Sequence, residues 1–376
     1  MAGMYIHFPF CRKICSYCDF YKTTLSSLIP GYLKALLREL ELRKDYLEME
    51  PLETIYLGGG TPSLISADQL TLIFNKIRDC FDFGSDCEVT MESNPDDMSS
   101  GYLRAVRELT PVNRLSIGVQ SFNDEDLLML NRRHTAIQAI QCIDDALNAG
   151  FKNITIDLIY GLPGMSTVSW GKNLEMAFSS DIQHLSAYHL TIEPNTAFAR
   201  MASRGLIRLP EEDESSAQFG LLNKMANNRG FIHYEISNLA REGFMSKHNS
   251  NYWLQKKYIG LGPSAHSYNL VSRQWNIRNV RMYIDALANG KDYAESETLD
   301  LRTQFNEYLM LSLRTSWGVD TSFIVNKFGD QYLAVLKKNL HPFLSSPWIA
   351  HRGNSIMLTP AGWMVSDYIV SRLMVE

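Results

Sequence analysis

Short apolar segments alternate with amphipathic ones through the first half of this 376-residue chain. The apolar segments are rich in β-branched and aromatic residues, as strands are, and they recur at 4–8, 54–57, 87–91, 114–119, 154–159 and 184–192. The segments between them have helical periodicity, for example GYLKALLRELEL and TAIQAIQCIDDALNAG. A strand followed by a helix, repeated about six times, predicts a parallel sheet with crossover helices.

Polar or glycine residues follow each predicted strand. The first strand leads into a cysteine-rich loop, and the next three lead into GGGTP, MESNP and GVQSF. The fifth carries Asp157 and the sixth carries His189. Ligands of β/α barrels collect at the carboxyl ends of the strands. The sequence therefore predicts an α/β fold, a partial (β/α)6 barrel of the TIM type, with one shared site at that end.

The pattern changes after about residue 210. A helix and a short strand, FIHYEI, are followed by a loop-rich segment, and a mainly helical tail ends in a hairpin-like stretch, WIAHRGNSIMLTP. We expect a barrel at 1–235, a connecting segment at 236–298 and a smaller, winged-helix-like domain at 299–376. That last region holds seven Lys/Arg against six Asp/Glu, which is a poor surface for phosphates. We therefore expect it to pack on the barrel or to act as a lid.

Composition argues against several function classes. The formal net charge is −5, so no basic surface calls for a nucleic-acid partner. No apolar run reaches the roughly 18–20 residues of a membrane span, and the N-terminus lacks the pattern of a secretory signal. The expected compartment is a reducing cytoplasm.

Three of the six cysteines, Cys11, Cys15 and Cys18, are clustered with C-x3-C-x2-C spacing. A disulfide framework uses pairs, so three clustered thiols indicate a metal. A structural zinc site would need a fourth ligand, for which His7 is the candidate, although His7 lies within a predicted strand. A four-iron cluster held by three thiolates leaves one iron open for a reagent. The pattern favours the iron–sulfur cluster.

A C-x3-C-x2-C loop after the first strand of a β/α barrel resembles the radical S-adenosylmethionine (SAM) superfamily. The resemblance implies a [4Fe–4S] cluster on these three cysteines, SAM bound at the open iron, and an electron donor for the cluster. It also implies that GGGTP holds the SAM amino group, that other polar strand ends contact ribose, carboxylate or adenine, and that Tyr5 contacts the methionine part. Tyr17 is expected to shield the cluster and to border SAM. The predicted SAM contacts are Tyr5, Tyr17, Gly59, Gly60, Thr61, Glu92, Gln120, Arg132 and Asp157.

The motifs YLGGGTPS, RLSIGVQSF, LNRRH, IDLIYGLPG and HLSAYHLTIEPNT narrow the resemblance. In this order they are similar to the group that contains oxygen-independent coproporphyrinogen III dehydrogenases (HemN type) and haem chaperones (HemW type). The dehydrogenases carry another cysteine two places after the third, where this chain has Phe20, and a longer N-terminal segment than the ten residues before Cys11. Both differences favour the chaperone type.

The segment HNSNYW, residues 248–253, matches a motif associated with haem binding in the HemW type. Neutral imidazole is a good axial ligand for haem iron, so His248 is the predicted ligand. Tyr252 and Trp253 could pack on the macrocycle, and Lys256 and Lys257 could pair with propionates.

The resemblance thus implies a protein that binds haem b and transfers it to acceptor proteins, such as respiratory enzymes. Two alternatives stay open, an oxygen-independent coproporphyrinogen III dehydrogenase and a degenerate barrel with a structural cluster. The sequence leaves a homodimer and transient contact with a membrane open, and it assigns no catalytic residue.

Overall fold

The computed structural model describes residues 1–375, and its centre is a curved sheet of six parallel strands in sequential order. Each strand pairs in parallel with the next one along the chain. The strands are β1 (Ala2–Phe8), β2 (Leu52–Gly59), β3 (Glu88–Ser93), β4 (Arg114–Gln120), β5 (Ile154–Tyr160) and β6 (His184–His189). The predicted partial barrel is confirmed.

The crossover helices cover the outside of this sheet. They are α1 (Ile29–Leu42), α2 (Ala67–Cys80), α3 (Ser100–Leu109), α4 (Asp124–Met129), α5 (Ala136–Asn148) and α6 (Thr167–Ser179). Ser66 with Gln69 and Thr135 with Gln138 form capping boxes at the starts of α2 and α5, which satisfy amide donors that the first turn leaves free. Three-residue 3-10 turns lie at Ser26–Leu28, Pro62–Leu64, Pro95–Asp97 and His341–Phe343.

The segment after β6 extends the sheet at both of its open edges. Antiparallel pairing adds one short strand to β6, while another strand pairs in parallel with β1. The full order is β12-β11-β10-β9-β1-β2-β3-β4-β5-β6-β8-β7. The added elements are α7 (Ala197–Ser203), α8 (Glu212–Asn228), β7 (Ile232–Glu235), β8 (Asn238–Ala240), α9 (Lys247–Trp253), β9 (Tyr258–Leu261), β10 (His266–Tyr268), β11 (Ser272–Asn276), α10 (Val280–Asn289) and β12 (Ala294–Thr298). Residues 236–298 thus contribute five strands to this sheet.

The C-terminal region combines helices with a small three-stranded sheet. Its elements are α11 (Leu301–Ser312), β13 (Val319–Asp320), α12 (Thr321–Phe328), α13 (Asp330–Leu340), β14 (Ile349–Arg352), β15 (Ser355–Leu358), α14 (Pro360–Trp363) and α15 (Ser366–Leu373). The predicted hairpin is β14–β15, and β13 pairs with β15. Trp363 is buried and donates its indole N–H to the carbonyl of Leu313, which joins the two ends of this helical, winged-helix-like region.

Two local predictions were wrong. The sixth strand ends at His189, opposite the last residue of β5, and does not continue to 192. The HNSNYW segment is helix α9 and not a loop, because the Ser246 side chain caps its first turn by accepting from the Asn249 amide. Within residues 1–375, none of the helices combines the length and the apolar composition that crossing a bilayer requires.

The two faces of the barrel strands differ in chemistry. Helices cover the outer face with apolar side chains, such as Ile55, Leu115 and Ile156, all of which are buried. The inner face carries polar side chains, including Thr54, Arg114 and others that are equally inaccessible to water. Buried polar groups need partners, so the barrel interior is where a polar ligand fits.

Candidate functional site

The three clustered cysteines lie in the loop that follows β1, at the carboxyl end of the barrel. All three are free thiols and half-buried. The loop is fixed by backbone hydrogen bonds from the Cys11 amide to the Thr23 carbonyl, 3.0 Å, and from the Ser16 amide to the Leu130 carbonyl, 3.1 Å. The sequence-predicted ligands are therefore brought into one loop that is anchored on both sides.

Two polar side chains from outside this loop donate to the thiol sulfurs. The Thr61 hydroxyl lies 3.7 Å from Sγ of Cys11, and Nη1 of Arg132 lies 3.3 Å from Sγ of Cys15. Burial raises the pKa of the Cys11 thiol to about 11 and also raises that of Cys18. Thiols in such a setting become thiolates when a metal replaces the proton.

The residues present fit a cubane cluster better than a single metal ion. In the part of the chain that the structure describes, no group of three or more His, Cys, Asp or Glu side chains converges as a metal site. A cubane places each of three thiolates on a different iron, so these sulfurs need not converge. The alternative zinc ligand, His7, is committed elsewhere, because Nδ1 faces the Tyr5 hydroxyl at 3.1 Å and Nε2 faces the Tyr21 carbonyl at 3.0 Å.

The glycine-rich turn after β2 packs directly on the cysteine loop. The Gly60 amide donates to the Phe8 carbonyl over 2.7 Å, and a Cβ at Gly60 would lie 2.6 Å from that same oxygen. Gly59 has a φ of +100°, and a Cβ there would lie 2.4 Å from the His7 ring. Only glycine fits both positions. The turn therefore sets the distance between β1, the cysteines and anything bound above β2.

Glu92 links the glycine turn to the barrel interior. Its carboxylate accepts from the Gly59 amide at 3.0 Å and from the Tyr56 hydroxyl at 2.8 Å. Burial raises the pKa of Glu92 to about 7. A carboxyl group held beside bare backbone is suited to bind an ammonium group, which would lower that pKa again. Nothing in the sequence distinguishes Tyr56 as a site residue, apart from its position in a predicted strand.

Arg132 joins the end of β3 and strand β4 to the cysteine loop. Besides Cys15, it donates to Oδ1 of Asn94 at 2.5 Å and to the Gly118 carbonyl at 2.6 Å. Gln120 ends β4 with a φ of +67°. A Cβ at Gly118 would lie 2.8 Å from Nε2 of Gln120 and 3.2 Å from Arg132. The two side chains thus meet over a glycine. The sequence motifs MESNP and GVQSF contain Asn94 and Gly118, but neither residue was singled out.

Asp157 lies deeper, in a chamber of about 40 Å³ inside the barrel that Glu92, Ser116 and Tyr188 also line. The Ser116 hydroxyl donates to the Asp157 carboxylate at 3.3 Å, and burial raises the pKa of Asp157 to about 6. Glu92 and Asp157 therefore place two carboxyl groups in one small chamber. Such a pair is suited to bind hydroxyl or ammonium groups of a ligand.

The two tyrosines predicted to border SAM lie at different depths: Tyr17 is in the cysteine loop, whereas Tyr5 is in the middle of β1, between the rings of His7 and His248. Tyr17 is half-buried in the cysteine loop, and burial raises the pKa of its hydroxyl. Tyr5 projects from β1 into the barrel and contacts the His7 ring. Phe20, which follows in the same loop, is 68% exposed. Of the aromatic residues in the loop, Tyr17 is therefore the better shield.

His248 lies at the opposite end of the barrel. Its Nδ1 lies 2.8 Å from the Thr54 hydroxyl and its Nε2 lies 2.9 Å from the Tyr252 hydroxyl. Its backbone amide donates to Glu88, the first residue of β3. The ring is only 2% exposed, and burial lowers the pKa of its imidazole to about 3. The predicted haem ligand is neutral but enclosed.

The lysines after the motif are engaged in ion pairs. Lys256 pairs with Glu53 at 2.6 Å, and Lys257 pairs with Glu48 at 2.7 Å and Glu50 at 2.8 Å. Their charges are therefore neutralised by carboxylates of this chain.

A cavity of about 560 Å³ opens between β1, the end of the cysteine loop, β9–β11 and α11. We call it the tyrosine cavity, because five of its lining residues are Tyr5, Tyr21, Tyr252, Tyr258 and Tyr268. Its size is typical of a pocket for a cofactor-sized ligand. It lies directly beside the loop that carries the three cysteines.

The chain is similar to known proteins over its whole length. The model of the radical SAM superfamily matches residues 5–176, and the model of the HemN C-terminal domain matches residues 299–365. The chain is 34% identical over 373 residues to heme chaperone HemW of Lactococcus lactis, covering 99% of this chain and 97% of that protein. It is 33% identical over 379 residues to heme chaperone HemW of Bacillus subtilis, covering 100% of both.

Among solved structures, coproporphyrinogen III oxidase (HemN) from Escherichia coli is similar with a TM-score of 0.85 over 100% of this chain and 90% of that one. At 22% identity, this similarity establishes the shared fold.

Proposed function

This chain belongs to the family of proteins named heme chaperone HemW, within the radical SAM superfamily, and we propose that it binds haem b and passes it to acceptor proteins. The observation that carries the proposal is the identity of about one third to proteins of that name over their whole length. The identity spans both the barrel and the C-terminal region.

Cys11, Cys15 and Cys18 would hold a [4Fe–4S] cluster. Thr61 and Arg132 support this assignment, because both donate toward the sulfurs. When bound, the cluster would supply one-electron reducing chemistry for SAM. An electron donor is therefore a required partner.

The strand ends next to the cysteines would hold SAM. Gly59 and Gly60 bring bare backbone close against β1 and the cysteine loop, and Glu92 places a carboxyl group with a raised pKa beside them. Arg132 and Gln120 meet over Gly118 and could hold the SAM carboxylate. Asp157 and Ser116 offer partners for ribose hydroxyls, while Tyr5 and Tyr17 would border the methionine part and shield the cluster.

A connected path joins the motif histidine to this region. The His248 ring stacks on Tyr56 at 4.9 Å between centroids, and the Tyr56 hydroxyl bonds to Glu92, which accepts from Gly59. Haem ligation by His248 would therefore change the affinity for SAM at the proposed site. By linkage, SAM would change the affinity for haem by the same factor. In this account SAM gates haem transfer, and steady turnover of a small substrate is not expected.

The haem acceptors would be proteins that need haem b, such as respiratory enzymes, and transfer would take place in the cytoplasm. A homodimer or a brief contact with a membrane would be compatible with such a transfer.

The test is anaerobic reconstitution with iron and sulfide, followed by haem titration of the wild type and H248A and by transfer to an apo acceptor. Haem binding by the wild type and passage of haem to the acceptor would support the proposal. Wild-type protein that binds no haem would overturn it. So would robust formation of protoporphyrinogen from coproporphyrinogen III with reductant and SAM, since that is dehydrogenase activity. Equal haem binding by the wild type and H248A would remove only His248 from the account.

A further inference from the structure

A histidine outside the HNSNYW motif borders the tyrosine cavity with a free ring. His266 is the first residue of β10 and lines this cavity. The rings of His7 and His248 are held at both nitrogens, whereas within residues 1–375 neither ring nitrogen of His266 makes a hydrogen bond. Burial lowers the pKa of the His266 imidazole, so the ring is neutral at pH 7 and can donate a lone pair to a metal.

The cavity walls suit a flat, largely apolar ligand with acidic groups on one edge. Tyrosine rings supply large flat surfaces, as aromatic binding pockets do. Arg278 borders the cavity and donates to the carbonyl of Asp19 at 3.0 Å. Within the described chain it forms no ion pair, in contrast to the cavity's other arginine, Arg273, which pairs with Glu297 and Glu307. A ligand carboxylate could therefore pair with Arg278.

The motif histidine does not reach this space. Tyr252 lines the tyrosine cavity, and its hydroxyl covers Nε2 of His248. The Tyr252 ring is also held edge-on against Tyr258, with centroids 4.6 Å apart. A ligand in the cavity therefore meets His266 directly and meets His248 only after Tyr252 moves.

We propose that the tyrosine cavity is the haem site in the conformation described here, with His266 as the ligand of the haem iron and Arg278 facing the propionates. The inference depends on the proposed function for the identity of the cargo. It adds the place where haem is first held, next to the cysteine loop, and the residue that holds its iron. His248 would take the iron only in a second conformation.

The test is titration of the purified protein with ferric haem, followed in the Soret region, for the wild type, H266A and H351A. His351 is an exposed histidine of β14 and serves as the matched control, with wild-type affinity expected. H266A should bind haem about tenfold more weakly or worse, since losing one iron ligand costs at least about 1.4 kcal/mol, and its Soret band should change. In H266G, added imidazole should restore the wild-type spectrum.

Metal-free protoporphyrin IX separates iron ligation from the shape of the cavity. It should bind to the wild type and H266A equally, because it has no iron for His266 to hold. R278Q should weaken binding of haem but not of haem dimethyl ester, which lacks the carboxylates.

The outcomes distinguish this inference from the proposed function. If the wild type binds haem and H266A matches it in affinity and spectrum, the His266 assignment is wrong and the chaperone function stands. The same holds if H266A loses protoporphyrin as strongly as haem, since the effect would then be on cavity shape. If the wild type binds no haem at all, both proposals fail.

Discussion

Nε2 of His248 and the hydroxyl oxygen of Tyr252, one helical turn later, lie 2.9 Å apart. The nitrogen that haem iron would need is therefore already in use, and both residues belong to the same haem-associated motif. Thr54 holds Nδ1 and Tyr252 holds Nε2, so both ring nitrogens of His248 are occupied. We call the Tyr252 hydroxyl the latch, because its removal would free Nε2.

Removing the latch should strengthen haem binding through His248. In Y252F the ring stays and the hydroxyl is lost. Haem affinity should rise about fivefold, because haem no longer has to break a hydrogen bond that contributes roughly 1 kcal/mol. Haem titration measures this. Y268F is the matched control, because Tyr268 lines the same cavity but its hydroxyl faces the Leu270 carbonyl. An unchanged affinity in Y252F, or a gain that persists in Y252F/H248A, would contradict the latch.

Substitution of Gly60 should disturb the cysteine loop. In G60A the new methyl group would collide with the backbone oxygens of Phe8 and Phe10, at 2.6 and 2.7 Å, so β1 or the loop must shift. We expect iron and sulfide content after reconstitution well below that of the wild type. G101A is the control: Gly101 lies in α3 with open space around it, and alanine there should raise stability by up to about 1 kcal/mol. Normal cluster content in G60A would refute the argument.

Arg132 should tune the reduction potential of a bound cluster. Its donation to Cys15 favours the more electron-rich, reduced state, as hydrogen bonds to cluster sulfurs do. R132Q should therefore make the potential more negative, as measured by redox titration of the reconstituted protein. R133Q removes a neighbouring charge that pairs with Asp97 and not with sulfur, so its shift should be smaller. Equal shifts in the two variants would show that only the net charge matters.

Glu235 should give the protein a pH-dependent stability. Burial raises its pKa to about 7, and within residues 1–375 its Oε1 has no hydrogen-bond partner. Because the folded state holds this proton more tightly, the stabilising contribution is complete below pH 4.5 and is lost as the pH rises through about 7. E235Q should therefore gain roughly 1–3 kcal/mol over the wild type between pH 5 and pH 8.

Urea unfolding at both pH values measures this difference, with the exposed Glu242 changed to Gln as the control. If E235Q and the wild type differ by the same amount at pH 5 and pH 8, folding does not raise the pKa of Glu235 and this prediction is wrong.

The sequence alone was enough for the barrel and for the cysteine loop. Strand and helix periodicity and the spacing of Cys11, Cys15 and Cys18 are local signals, and each depends on residues only a few positions apart. Because carboxyl ends of parallel strands meet at one edge, the order of the strands also placed Glu92 and Asp157 on the same side as the cysteines.

Only the tertiary structure decided which of these groups touch. Arg132 meets Cys15 across 117 positions, and His248 meets Thr54 across 194. Such contacts depend on strand register and on which way a side chain points, and no local pattern encodes them. For the same reason, the sequence could not predict the enclosure of His248, the role of Tyr56 or the free ring of His266. The residue types therefore predicted which chemical groups lie near the cysteines. Packing of the folded chain decided which of those groups a ligand can reach.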